Sequence, residues 1–124
     1  MAIKGSCCCG GVRFELFERP AMVGVCHCSR CRKSGSSAYA YVRAEAFSWV
    51  SGRNLVARYA PEPPLRFTRC FCARCGTALG DPFSGRILAI AAACLDDDAD
   101  LTPDFHEHVA DRRTWRCVAA REEP

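Results

Sequence analysis

Long apolar runs are missing from this chain. The longest, residues 87–95, has nine residues, less than half of the ~20 that a membrane-crossing helix needs. The first six residues hold no apolar stretch of signal-peptide length, so the expectation is a soluble, cytoplasmic domain without membrane partners. Lysine is nearly absent: Lys4 and Lys33 stand against 15 arginines. The basic residues never form a run of five, and 17 of them against 14 acids leave a formal charge of +3. That pattern lacks the basic face of a nucleic-acid binder. Seven prolines and nine glycines, scattered without period, exclude collagen-like and low-complexity chains. No helical apolar period persists for three turns.

Cysteine is what the chain has in excess, with 11 in 124 residues. At this density a covalent or metal framework is expected. The count is odd, so a disulfide framework would leave a thiol over. In a reducing compartment, clustered cysteines serve more often as metal ligands or catalytic groups. A mass of 13.6 kDa fits a single domain over residues 1–124.

The predicted elements are short strands. Residues 11–17 alternate Val12, Phe14 and Leu16 against Arg13 and Glu15, the period of a half-buried strand. Residues 22–26 read as a second strand, and residues 37–42 as a third with Tyr39 and Tyr41 on one face. Residues 55–59 and 65–71 are strand-like around the proline turn at 61–64, and residues 87–95 read as a buried strand. The fold class is therefore mostly β, tied at cysteine clusters.

Three clusters occur: Cys7, Cys8 and Cys9; Cys26, Cys28 and Cys31; and Cys70, Cys72 and Cys75. If residues 7–9 are extended, Cys7 and Cys9 share a side while Cys8 faces away. Residues 72–76 form a knuckle, with Gly76 tolerating the backbone angles that follow and Gly10 doing the same after Cys9. Cys7, Cys9, Cys72 and Cys75 then complete a four-sulfur zinc site, whose full shell makes it structural. Cys26, Cys28 and Cys31 supply three ligands, the pattern of a zinc with one open position. Three thiolates leave such an ion with net charge −1, which suits binding and ionising an incoming thiol. Seven thiolates around two divalent ions leave three negative charges, which cancel the formal +3.

The motifs run in order: residues 5–14 with the cysteine triplet, Cys26-His-Cys-Ser-Arg-Cys-Arg-Lys33, Phe71-Cys-Ala-Arg-Cys-Gly-Thr77, and Leu95-Asp-Asp97 through Pro103 and His106. Together they resemble the glutathione-dependent formaldehyde-activating (GFA) family, which also includes centromere protein V. The resemblance spans nearly the whole chain. It implies a β-tent fold of small antiparallel sheets organised around two zinc sites, on the same two cysteine sets. It also implies an activity, the joining of glutathione to formaldehyde as S-hydroxymethylglutathione, classed with carbon–sulfur lyases. Zinc, two per chain, is the implied cofactor, and glutathione with an aldehyde are the implied small-molecule partners.

The sequence departs from that pattern at Cys8, where the family often has His, at Ala93 and Cys94, and at Asp98. Cys70 is an additional cysteine, placed to share a strand face with Cys72. If it reached the second zinc it would close the open position and leave a non-catalytic zinc module that binds glutathione or a protein partner. Ser29, Arg32 and Lys33 follow the open site and are the candidate contacts for substrate, the two cations for a carboxylate of glutathione. Cys94 and Cys117 read as buried thiols, Trp49 and Trp115 as core, and His27 as a packed side chain. His106 and His108 share a face if residues 105–109 are extended, which allows a weak metal pair, although beside Glu107 such a pair is more often a set of solvated polar residues. Residues 96–98 read as a polar turn.

Overall fold

The computed structural model describes residues 2–97 and 100–115; Cys117 and Asp98 lie outside them. Ten strands and one short α-helix follow in order: β1 (Ile3–Ser6), β2 (Arg13–Leu16), β3 (Met22–Cys26), α1 (Ser29–Ser34), β4 (Ala38–Arg43), β5 (Phe47–Ser51), β6 (Val56–Tyr59), β7 (Arg69–Cys72), β8 (Ala78–Asp81), β9 (Ile87–Ala91) and β10 (Phe105–Glu107). They form a three-stranded sheet, β1-β2-β5, and a seven-stranded sheet, β10-β3-β4-β9-β8-β7-β6. The expectation of a mostly β fold built of antiparallel sheets is met. One sheet is large, and its edge pairing of β10 with β3 is parallel.

The core lies between the sheets. Val12, Phe14 and Leu16 are almost wholly buried, with Val12 just ahead of β2. They meet Val42, Leu79, Leu88 and Ile90 of the larger sheet. Alternation explains β4 on both faces: Val42 joins this core, whereas Tyr39 packs with Cys26, Cys28 and Cys31 on the other side. β9 stops at Ala91 rather than at residue 95, because residues Ala92–Cys94 close a 3-10 turn. Leu95 then bridges to Gly5 and links the end of the large sheet to the small one. Trp49 packs between Phe47 and Phe83, with ring centroids 5.0 and 5.5 Å away. Trp115 is 67% exposed, so its reading as core is corrected.

β10 reaches its place by a close approach. Gly24 of β3 lies opposite Phe105, and a Cβ at residue 24 would overlap the Phe105 ring. Gly24→Ala is therefore expected to lower stability by about 1–3 kcal/mol through overpacking and to loosen β10. A thermal unfolding curve tests this, and a wild-type midpoint would show that Phe105 can move aside freely.

Candidate metal centres

The first sulfur cluster joins two turns. Cys7 follows β1, and the chain turns at once, with the Gly10 N–H donating to the Cys7 carbonyl at 2.9 Å. Residues 7–9 thus form a tight turn and not the extended strand expected, although Cys8 still faces outward, exposed. Cys72 ends β7, and the Gly76 N–H returns to the Cys72 carbonyl at 2.7 Å. Gly10 and Gly76 hold φ of +78° and +82°, conformations that side chains strain. The sulfurs of Cys7, Cys9, Cys72 and Cys75 all lie within 4.8 Å of one another. Cys7 Sγ is 3.6 Å from Cys9 Sγ, which is 4.0 Å from Cys72 Sγ. A tetrahedral ion with 2.3 Å bonds to sulfur sets its ligands about 3.8 Å apart, whereas a disulfide needs about 2.05 Å. The spacing fits a shared metal.

Backbone donors prepare these sulfurs for charge. The Val12 N–H donates to Cys7 Sγ at 3.3 Å, Arg74 N–H to Cys72 Sγ at 3.4 Å and Cys9 N–H to Cys75 Sγ at 3.4 Å. The Thr77 hydroxyl, 3.2 Å from Cys75 Sγ, together with the backbone N–H groups of Thr77 and Cys9, brings the Cys75 thiol down to about 5. Hydrogen bonds to the charged form stabilise a thiolate, which is the form a metal takes.

The second cluster sits where β3 runs into α1. Cys26 ends the strand, and Cys28 caps the helix, its sulfur accepting from the Cys31 N–H at 3.4 Å. No pattern in the sequence announces this helix. At six residues it is too short to show an apolar period. Its first turn brings Cys31 back beside Cys28, and the three buried sulfurs lie within 4.8 Å of one another. Burial, with the neighbouring thiols adding to it, pushes Cys26 up to about 12. Three such groups cannot all ionise side by side unless a cation joins them, so this donor set also fits a metal.

Cys70 does not complete the trio. It is buried and belongs to neither sulfur cluster; burial and the charge of Asp81 push its thiol up to about 11. Cys94, also buried, donates to the Ala78 carbonyl at 2.9 Å, as a packed thiol does. His27 faces away from the sulfurs, with Nε2 3.0 Å from His106 Nδ1 and the two rings stacked. His106 therefore pairs with His27. The pairing with His108 fails because His108 leaves the strand with φ 56° and ψ 42°. Asp96 Oδ1 accepts from Ser6 Oγ at 2.7 Å, as part of a polar turn.

A cavity of about 580 Å³ opens on the second cluster, and Cys26, Cys28 and Cys31 line it. Its other walls carry four cations, Arg30, Lys33, Arg66 and Arg69, together with Glu107, Tyr39 and Tyr41. Arg69 reaches furthest in, stacked on Phe67 at 5.0 Å. Its Nη1 donates to Tyr39 Oη at 3.2 Å, and its Nη2 is 3.8 Å from Cys31 Sγ. Of the three residues expected to contact substrate, only Lys33 lines this space. Ser29 and Arg32 do not, because α1 turns them to its other sides. Arg30, Arg66 and Arg69 were missed. Only the tyrosine alternation in residues 37–42 hinted at this wall.

The family described as glutathione-dependent formaldehyde-activating enzyme matches residues 2–111. This chain belongs to the GFA family. A Halomonas elongata protein whose name carries the same family designation is 31% identical over 133 aligned residues, covering 99% of this chain and 85% of its own length. A crystal structure of a Rhodobacter sphaeroides protein superposes with a TM-score of 0.64 at 26% identity, covering 83% of this chain and 98% of that one. The two cysteine clusters, within this family match, are groups that could each hold a metal ion.

Proposed function

We propose that this GFA protein is a zinc-dependent enzyme of the carbon–sulfur lyase type, which adds the thiol of glutathione to formaldehyde or a similar carbonyl. One observation carries the reading. Three buried cysteine sulfurs, with no fourth cysteine, histidine or carboxylate grouped with them among the described residues, line a cavity rich in cations. Cys7, Cys9, Cys72 and Cys75 hold a structural zinc, and Cys26, Cys28 and Cys31 hold the second. When bound there, zinc supplies the charge that keeps an entering thiol ionised at neutral pH in the place three protein ligands leave.

The chain's own residues do the rest. Glutathione carries two carboxylates and one ammonium; Arg30, Lys33 and Arg66 receive the carboxylates, and Glu107 receives the ammonium. Arg69, held by Phe67 and Tyr39 beside Cys31 Sγ, faces the carbonyl oxygen as it gains charge. The thiol loses its proton, sulfur joins the carbonyl carbon, and the displaced π pair on oxygen takes up a proton. Holding both reactants in one cavity of this size, within the usual ~300–1,000 Å³ of ligand sites, supplies the proximity term.

Exchange spectroscopy with ¹³C-formaldehyde tests the activity. Zinc-loaded protein is expected to speed interconversion of formaldehyde and S-hydroxymethylglutathione above the spontaneous rate. No acceleration, with glutathione still bound, would leave a binding module. The cations make a separate prediction: Lys33→Met and Arg66→Met should each weaken glutathione binding about tenfold at low salt, with the difference shrinking as salt rises. Titration calorimetry at two ionic strengths reads it.

A further inference from the structure

A second space adjoins the cavity beside Cys31, across Tyr39 and Arg69. Beyond them lies a recess of about 230 Å³, and Ser34, Tyr39, Tyr59, Phe67 and Arg69 border both spaces. Its own walls are mostly apolar, with Phe67, Phe71 and Ala78 among them. The recess starts within one side chain of the metal-site sulfurs, since Tyr39 Oη is 3.6 Å from Cys31 Sγ.

Ser36 stands in its wall, 6% exposed. Formaldehyde has no need of this space. With two heavy atoms it displaces roughly one water, about 30 Å³, a small fraction of the recess.

Building on the thiol–aldehyde reading above, we propose that the recess holds the carbon substituent of an aldehyde larger than formaldehyde. The class is an aromatic or medium-chain aldehyde with a mainly apolar substituent. Phe67, Phe71 and Ala78 cover that substituent. The bond made is the same as with formaldehyde. The thiol sulfur joins the aldehyde carbon, the carbonyl π pair moves to oxygen, and the thiol proton ends on that oxygen. No oxidant or reductant is needed.

Stable thioethers test this by binding alone. Calorimetry on the zinc-loaded full chain compares glutathione, S-methylglutathione and S-benzylglutathione. The benzyl compound is expected to bind at least about tenfold tighter than the methyl one, from burial of its ring. Ala78→Leu, which fills the recess, should bring that ratio close to one. Phe71→Ala removes a wall from the exposed rim, where Phe71 is 37% accessible, and should lower the ratio without touching the core. Equal affinities of the two thioethers in the wild-type protein, with glutathione bound, would overturn the recess and leave the thiol site standing. A full ratio retained in both variants would also overturn it. If glutathione and both thioethers fail to bind, the thiol-site reading falls, and the recess falls with it.

Discussion

Replacing Cys72 by serine is expected to yield a protein that does not unfold cooperatively and carries one metal ion fewer. Cys72 is 0% exposed at the end of β7, in the seven-stranded sheet. Its cluster partners Cys7 and Cys9 follow β1 of the small sheet. The cluster therefore fastens the two sheets at a point where only a short core lies between them. It also closes a loop of 63 residues between Cys9 and Cys72, whose ordering must otherwise come from packing. Structural zinc contributes on the order of 10–16 kcal/mol of apparent folding free energy in small domains, against a total stability of about 5–15 kcal/mol. Losing a buried ligand should thus exceed what the core can offset. Circular dichroism melting and native mass spectrometry read the two consequences together. Cys8→Ser is the control. Cys8 is exposed and outside the cluster, and its backbone N–H, which a substitution keeps, donates to the Thr77 hydroxyl at 2.9 Å, so replacing its side chain should leave both readings at wild-type values. A cooperative melt at the wild-type temperature for Cys72→Ser would show that the sheets hold without the cluster.

The two cysteine groupings were legible in the sequence because metal chelation is a local demand. Two sulfurs must come from a few residues, so C-x-C and C-x-x-C spacings survive any uncertainty in tertiary structure. The backbone reasoning behind them was less secure. Cys7 and Cys9 converge through a turn closed by the Gly10 N–H, where an extended chain was expected. The short helix over Ser29–Ser34 escaped notice because a six-residue element has no period to read. The strand at 11–17 was legible for the opposite reason, since Val12, Phe14 and Leu16 alternate strictly with charged neighbours. The cavity wall was not legible. Arg66 and Arg69 enter it from the segment before and at the start of β7, and Glu107 from β10, which pairs with β3 across some 80 residues. No local pattern marks such residues; only sheet order brings them to one place. Cys70 shows the same limit. Its spacing from Cys72 allowed it to join the second cluster, and only its position on β7, facing Asp81 and the recess, separates it from Cys31.

Cys28→Ala is expected to abolish the glutathione adduct and all thiol-dependent chemistry while leaving a folded protein with one zinc. The two clusters belong to different ends of the fold. Cys28 lies where β3 gives way to α1, and the four-sulfur clip draws none of its ligands from there. Cys28 has a second task, however. As the N-cap of α1 its sulfur accepts from the Cys31 N–H, and loss of a cap costs about 0.5–2 kcal/mol. Alanine should therefore lower the melting temperature modestly as well as remove a ligand. Serine separates the two tasks, because its hydroxyl caps a helix well but is a poor substitute for thiolate toward zinc. Cys28→Ser should recover the melting temperature and still show no adduct by native mass spectrometry. If both variants kept the adduct, glutathione would be held by the cations alone and the proposed mechanism would be wrong. If both unfolded, the trio would be a structural site like the first, and the chemistry of this cavity would have to start from another group.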